Sequence, residues 1–203
     1  SDVLHLALPN WEKTWELRGY STSSVHDGAL LTPTGLDDDF TDVGTTSLDF
    51  EDSFTSGLEK RLLSHSRTKY WNNALTAALS EGTAGPRALV HQRYRLAMTD
   101  GLMDAVYDLG SGNVVTSAML TEAGYVDLDS DGNAWMKSGI QSHDASHFYL
   151  PTDVTDPWGN TITVTYDTYY LVVKEVEDAL ENTTSAVLDY RVLAPKKVTD
   201  PNS

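Results

Sequence analysis

Val154-Thr155-Asp156-Pro157-Trp158-Gly159-Asn160-Thr161 is written nearly three times in this chain. It returns as Val176-Glu177-Asp178-Ala179-Leu180-Glu181-Asn182-Thr183 and begins again as Val198-Thr199-Asp200-Pro201-Asn202-Ser203. Asp156, Asp178 and Asp200 stand 22 residues apart, and so do Asn160 and Asn182. A fixed period of this size marks a repeat architecture in which each unit is one supersecondary element.

Asp at the first position of a turn, Pro at the second and Gly at the fourth suit a type I turn. Asp156-Pro157-Trp158-Gly159 supplies all three. Pro157 presets φ, the Asp156 side chain can bond the backbone two residues on, and Gly159 accepts φ > 0. Thr161-Ile162-Thr163-Val164-Thr165-Tyr166 then alternates polar and apolar residues, β-branched at five of six positions. That predicts a half-buried strand with Ile162, Val164 and Tyr166 inward. A reversal at Tyr166-Asp167-Thr168 leads into a second expected strand over 169–177. The next unit follows the same plan, with a turn at Asp178, a strand over 183–189, a reversal at Asp189-Tyr190 and a strand over 192–198. Successive hairpins would pave one antiparallel sheet. Glu181 stands where the repeat wants Gly, and Ser203 takes that place in the third unit. The second turn is therefore expected to be strained or of another type. The third breaks off in mid-motif, as in a piece of a longer protein.

The pattern V-x-D-P-x-G-N-x-T…Y-D resembles the YD repeats of RHS-type proteins. A longer ordered set is His147-Phe148-Tyr149-Leu150-Pro151, Asp156 to Asn160, Asp189-Tyr190-Arg191-Val192-Leu193-Ala194-Pro195 and Val198-Thr199-Asp200-Pro201-Asn202. It is similar to the segment leading into the RHS shell of the B component of Tc insecticidal toxin complexes. Residues 62–70, Ala88-Leu89-Val90-His91, Tyr94-Arg95-Leu96-Ala97-Met98 and Gly124-Tyr125-Val126-Asp127 also resemble that region. The likeness covers residues 58–203 and carries little over 1–57. It implies a mainly β fold with a few short helices, in which antiparallel β-hairpin repeats form part of a larger RHS-type sheet shell. It implies a secreted, extracellular toxin complex whose shell encloses a C-terminal effector polypeptide. Flanking RHS repeats and other toxin-complex subunits would be the partners, and no residue here would be catalytic.

Composition narrows the alternatives. The chain has 203 residues, enough to bury a core without covalent staples. It has no cysteine, so disulfides and thiolate metal sites are excluded. Its net charge of −16 argues against nucleic acid or an anionic membrane as partner, since both demand Lys and Arg clusters. No apolar run approaches the roughly 18 residues of a membrane span, so direct membrane insertion is not expected. The N-terminus carries no basic and apolar run of the secretory kind.

Along the chain, Leu4, Leu6 and Leu8 alternate as in a strand ending at Pro9-Asn10, with residues 15–18 as a partner strand. Residues 21–57 are polar and acidic, and Asp37, Asp38, Asp39 and Asp42 read as a solvated loop rather than a calcium site. Ser56-x-x-Glu59 could open a helix as a capping box, but residues 62–71 alternate and are taken as a strand. One or two helical turns are expected within 72–85. A strand should carry Val90, Tyr94, Leu96 and Met98 on one face, with His91, Arg93 and Arg95 on the other. Thr99 suits the N-cap of a helix over 100–109 that buries Leu102, Met103 and Val106. A second helix over 117–123 would end at Gly124. Strands over 125–129 and 134–137 would flank Ser130-Asp131-Gly132-Asn133 in a hairpin.

Three constellations bear on chemistry. Asp127-x-Asp129-x-Asp131-Gly132 opens like a calcium loop, but Ser138 stands where the closing bidentate Glu belongs. A structural hairpin is preferred, with Asp127, Asp129 and Asp131 kept as ion candidates. His143-Asp144-Ala145-Ser146-His147 imitates H-E-x-x-H, with the wrong acid and no third ligand in place. No G-x-S-x-G, phosphate-binding Gly loop or marked carboxylate pair is present, so neither an enzyme nor a cofactor is expected.

The residues taken to carry the architecture are the turn residues Asp156, Pro157, Gly159, Asn160, Asp178, Asn182, Asp200 and Pro201. Three segments are expected. Residues 1–57 form N-terminal strands and an acidic loop, 58–150 a mixed β/α segment, and 151–203 the hairpin repeats. The competing reading is a secreted carbohydrate-binding or adhesion module, with Tyr and Trp displayed for stacking.

Overall fold

The computed structural model describes residues 8–19, 46–55, 57–110 and 112–202. Among the described residues the fold is mainly antiparallel β, with two sheets and two short helices. The described chain divides into two compact units, each discontinuous in sequence. One draws on 1–10, 68–94 and 137–203, the other on 11–67 and 95–136.

The first unit holds the hairpin repeats. Its sheet contains β7 (Ile140–Asp144), β8 (Leu150–Thr155), β9 (Thr161–Tyr166), β10 (Val173–Glu177), β11 (Thr183–Asp189) and β12 (Ala194–Thr199). These six strands lie side by side in sequence order, a continuous antiparallel meander. Three register shifts recur in it. Thr152, Lys174 and Lys196 are each the extra residue of a bulge, skipped between the partners of Ser142 and His143, of Tyr166 and Thr165, and of Val187 and Leu188. These positions are again 22 residues apart. A bulge bends its strand and increases local twist, so the repeat encodes a bend as well as a turn.

The other six-stranded sheet lies largely in the second unit. Its order is β1 (Trp11–Arg18), β3 (Glu59–Tyr70), β4 (Val90–Met98), β6 (Ala134–Lys137), β5 (Tyr125–Val126), and β2 (Thr46–Leu48) pairs in parallel with β3. Helix α1 (Asp100–Tyr107) starts where the Thr99 hydroxyl accepts the Leu102 N–H at 3.1 Å. Helix α2 (Ser117–Glu122) is capped by Thr116 in the same way, and Gly124 follows its end at φ 87°. The core of this unit centres on Trp135, 1% exposed, with Ala134 and Met103 also buried.

Several expectations are corrected. Residues 72–85 form turns instead of a helix: the Asn72 carboxamide accepts the Thr76 N–H at 3.0 Å, and Leu75 adopts φ 56°. Asn competes for the backbone in this way, and the segment closes as a bridge between Trp71 and Ala78. The strand expected over 15–18 is longer, and its partner is β3. The expected strand at 4–8 falls outside the described residues up to position 7, as do the acidic cluster at Asp37–Asp39 and Asp42 and the cap at Ser56. Val106 is 57% exposed, so α1 buries Met103 without it. β10 begins at Val173 rather than 169, and β12 at Ala194 rather than 192.

Candidate functional site

The sequence singles out the hairpin sheet, and its chemistry lies in two rows of aspartates, one along each rim. On the first rim Asp156 and Asp178 close identical turns. The Asp156 carboxylate accepts the N–H groups of Trp158 at 2.8 Å and Asn160 at 2.9 Å, and the Asn160 side-chain amide at 2.8 Å. Asp178 accepts from Leu180 at 2.8 Å, Asn182 at 3.0 Å and the Asn182 side chain at 2.9 Å. In both, the Asn side-chain amide is the main cause holding the carboxyl below its ordinary pKa. Gly159 takes φ 92° and Glu181 φ 64°, so the second turn keeps the geometry of the first despite lacking Gly. Asp200 starts the third in the same manner, accepting the Asn202 N–H at 2.7 Å, with Pro201 between them.

The opposite rim is built by Asp144, Asp167 and Asp189. Asp167 is 3% exposed. Burial pushes its carboxyl up, but the N–H groups of Val172, Tyr169 and Leu171 and the Tyr190 hydroxyl bring it below the ordinary range. Tyr190 belongs to the next reversal, and its ring meets that of Tyr169 edge-on at 5.7 Å, so one hairpin touches its neighbour at this rim. Asp144 accepts from Ser146 at 2.7 Å and from His147 Nδ1 at 2.6 Å, while the His147 ring stacks on Tyr170 at 3.5 Å. Asp189 accepts the Arg191 N–H at 3.0 Å. Sequence reasoning placed reversals at Asp167 and Asp189 without assigning this role to their carboxylates. Their 22-residue spacing was the available signal.

Between the rims, the register sorts the side chains onto two faces. Asp153, Thr163, Glu177 and Thr183 lie in one cross-strand row, and Thr165, Glu175, Ser185 and Thr199 in the next. The other face carries Val154 opposite Ile162, Val164 opposite Val176, and Ala186 opposite Val198. Val154, Ile162 and Val198 are 37, 45 and 58% exposed. Ile162 was expected to point inward; it shares the apolar face, but that face stays open around it. An open hollow of about 400 Å³ lies there, lined by Val154, Ile162, Ala179 and Leu180 with turn residues Asp156, Asn160 and Asp178.

The ion candidates share one loop, but each carboxylate is engaged by a different partner. Asp127 accepts the N–H groups of Gly132 at 3.0 Å and Asp131 at 3.2 Å. Both Asp129 oxygens bond Arg67, at 2.9 and 2.5 Å, and Asp131 holds Asn133. The loop therefore folds on its own N–H groups, which ends β5 at Val126 instead of 129. His143 lies in β7 and His147 in the turn after it, so they do not share a helical face as a zinc motif requires. Among the described residues no group of three or more His, Asp or Glu side chains could hold a metal ion. Among them, too, no helix is long and apolar enough to cross a membrane.

Comparison with known proteins places this geometry. No protein-family model and no curated protein matches the sequence. Solved structures do. A crystal structure of TcdB2-TccC3 without its hypervariable C-terminal region matches 97% of this chain, at 22% identity and TM-score 0.68. The chain resembles Tc toxin components. TcdB2-TccC3-Cdc42 matches over 70% at 25% identity and TM-score 0.57. The Photorhabdus luminescens Tc holotoxin pore with mutation TccC3-D651A matches over 97% at 21% identity and TM-score 0.63. The chain spans only 7 to 9% of the length of those matched chains.

Proposed function

We propose that this chain is a non-catalytic wall segment of a secreted toxin complex, part of an RHS-type shell that encloses an effector polypeptide. Flanking hairpin repeats and other subunits of the complex are its partners. Residues 151–203 are the repeat wall proper, and 58–150 lead into it. The observation that carries the reading is the six-stranded meander with turn, bulge and apolar face repeated at 22 residues. The fold shared with TcdB2-TccC3 supports it.

Containment follows from the two faces. A contiguous apolar surface on a single sheet is unfavourable against bulk water. A closed wall turns the Thr, Ser and Glu face outward and the Val and Ile face toward the enclosed chain. Its action is a barrier: no bond is made or broken by these residues, and release falls to the partners.

Photocrosslinking in the complex assembled in producing cells tests this. A crosslinker at Ile162 should capture the effector polypeptide, and one at Thr163, on the other face, should not. Equal capture from both positions would remove the enclosure. Trp158 and Tyr169, each 65% exposed, are the aromatic residues that an adhesion module would use. Specific glycan binding lost in folded Trp158→Ala and Tyr169→Ala variants would establish that module instead.

A further inference from the structure

Among the described residues β1 is an edge strand, hydrogen-bonded only to β3 in the sheet order. In that ladder Lys13 lies directly opposite His65, and a bulge between Thr14 and Trp15 divides the strand into two halves. His65 is 7% exposed, with its ring edge-on to Trp135 at 4.8 Å and to Trp11 at 6.5 Å. The Arg67 guanidinium lies over the Trp135 ring at 4.4 Å and gives two hydrogen bonds to Asp129. His65 is thus set between two cations, and Asp129, the carboxylate whose attraction it feels, is already engaged by one of them.

We infer that the N-terminal half of β1 is an acid-released latch, in which protonation of His65 opposite Lys13 and beside Arg67 loosens residues 11–14 from β3. Like charges placed directly opposite in a ladder are destabilising. A largely buried imidazolium also costs hydration. The groups around His65 are Lys13 from β1, Arg67 from β3 and Trp135 from β6, with Asp129 from the connection between β5 and β6. Asp49, Glu51, Asp100 and Asp131 line the same cleft. Burial first, then Lys13 and Arg67, outweigh the attraction of Asp129 and hold His65 down to about 4 from 6.5.

The direction follows from linkage. When β1 opens, His65 regains its ordinary affinity for protons, so the open form gains relative to the closed one as pH falls below 6.5 and stops gaining near 4. The second half of β1 has a different tie, Arg61 to Glu16 at 2.5 Å, which lies beyond the bulge and does not involve His65. Opening is therefore confined to the stretch around Trp11 and Lys13. The device gives the sheet a free β3 edge at mildly acid pH and a closed one at neutral pH, and it does not depend on the shell reading.

Hydrogen exchange on the full chain, corrected for the intrinsic pH dependence of exchange, tests it. Between about pH 7.5 and about pH 4.5, protection at residues 11–14 should fall more than about tenfold relative to β9 and β10. His65→Phe should abolish that fall. Should His65→Phe not fold, Lys13→Gln decides: the loss should shrink, and the His65 ring should titrate closer to 6.5 by NMR. Unchanged protection at 11–14 in the wild type, an equal fall in His65→Phe, or a His65 titration unmoved in Lys13→Gln would each overturn the latch.

Discussion

Glu181 adopts φ 64° where its counterpart Gly159 adopts φ 92°. The two turns are otherwise closed by the same bonds, from Asp156 to Asn160 and from Asp178 to Asn182. A side chain in the left-handed region meets the carbonyl that follows it, at roughly 1 kcal/mol relative to Gly. Glu181→Gly should therefore stabilise the chain by up to about 1 kcal/mol, part of the gain being offset by the freer unfolded chain. Removing one carboxylate from a chain of net charge −16 acts in the same direction. A urea midpoint shifted upward at unchanged slope is the expected result. A clear downward shift would mean that Glu181 makes a contact worth more than its backbone strain.

At the scale of the element, neighbouring hairpins meet where the Tyr190 ring packs on Tyr169, and the Tyr190 hydroxyl helps lower the Asp167 pKa. Tyr190→Phe removes the hydroxyl that helps hold the Asp167 carboxyl down while leaving the backbone donors in place. Asp167 has its folded pKa depressed, so its stabilising effect exists above the ordinary value of 3.8 and is lost as pH falls through the folded one. The variant narrows that depression, so stability is lost throughout the range above 3.8, neutrality included, and acid unfolding of the hairpin sheet should begin at higher pH. An acid midpoint identical to wild type would show that the hydroxyl contributes nothing.

The same elements show what the sequence could reveal. The strand 161–166 was legible to the residue, because alternation and the Pro157 and Gly159 turn act locally. Tyr169-Tyr170-Leu171-Val172 was not: its composition favours a strand, but the Asp167 carboxylate captures the N–H groups of Tyr169, Leu171 and Val172 and holds them in a loop. Asn72 overrides the helical composition that follows it in the same way. Asp129 was expected at the end of a strand and instead lies in the loop, and its partner Arg67 is 62 residues away, beyond any local pattern. The bulges at Thr152, Lys174 and Lys196 were also hidden, since an unpaired residue in a strand has no signature of its own.

At the scale of the whole molecule, two surfaces favour association and one property opposes it. Among the described residues β12 pairs only with β11, and an edge of this kind templates further pairing unless blunted. Pro195, which lacks an N–H, and the exposed Lys196 and Lys197 blunt it in part. The apolar face around Val154, Ile162 and Val198 adds a second adhesive surface. Against both stands the net charge of −16, which repels one copy from another. Salt separates these effects, because the screening length falls from about 10 Å at about 0.1 M to about 3 Å at about 1 M. The purified chain should therefore remain monomeric at low salt and associate reversibly as salt rises, the reverse of an association built on ion pairs. Sedimentation velocity across that range reads the mass. Hydrogen exchange reads the place: Ala194–Thr199 should gain protection with concentration at high salt, whereas Thr161–Tyr166 and Val173–Glu177, paired on both sides, should be slow throughout. A chain that stays monomeric at high salt, with slow and concentration-independent exchange at Ala194–Thr199, would be self-sufficient at that edge, and a wall built by pairing β12 onward would lose its support.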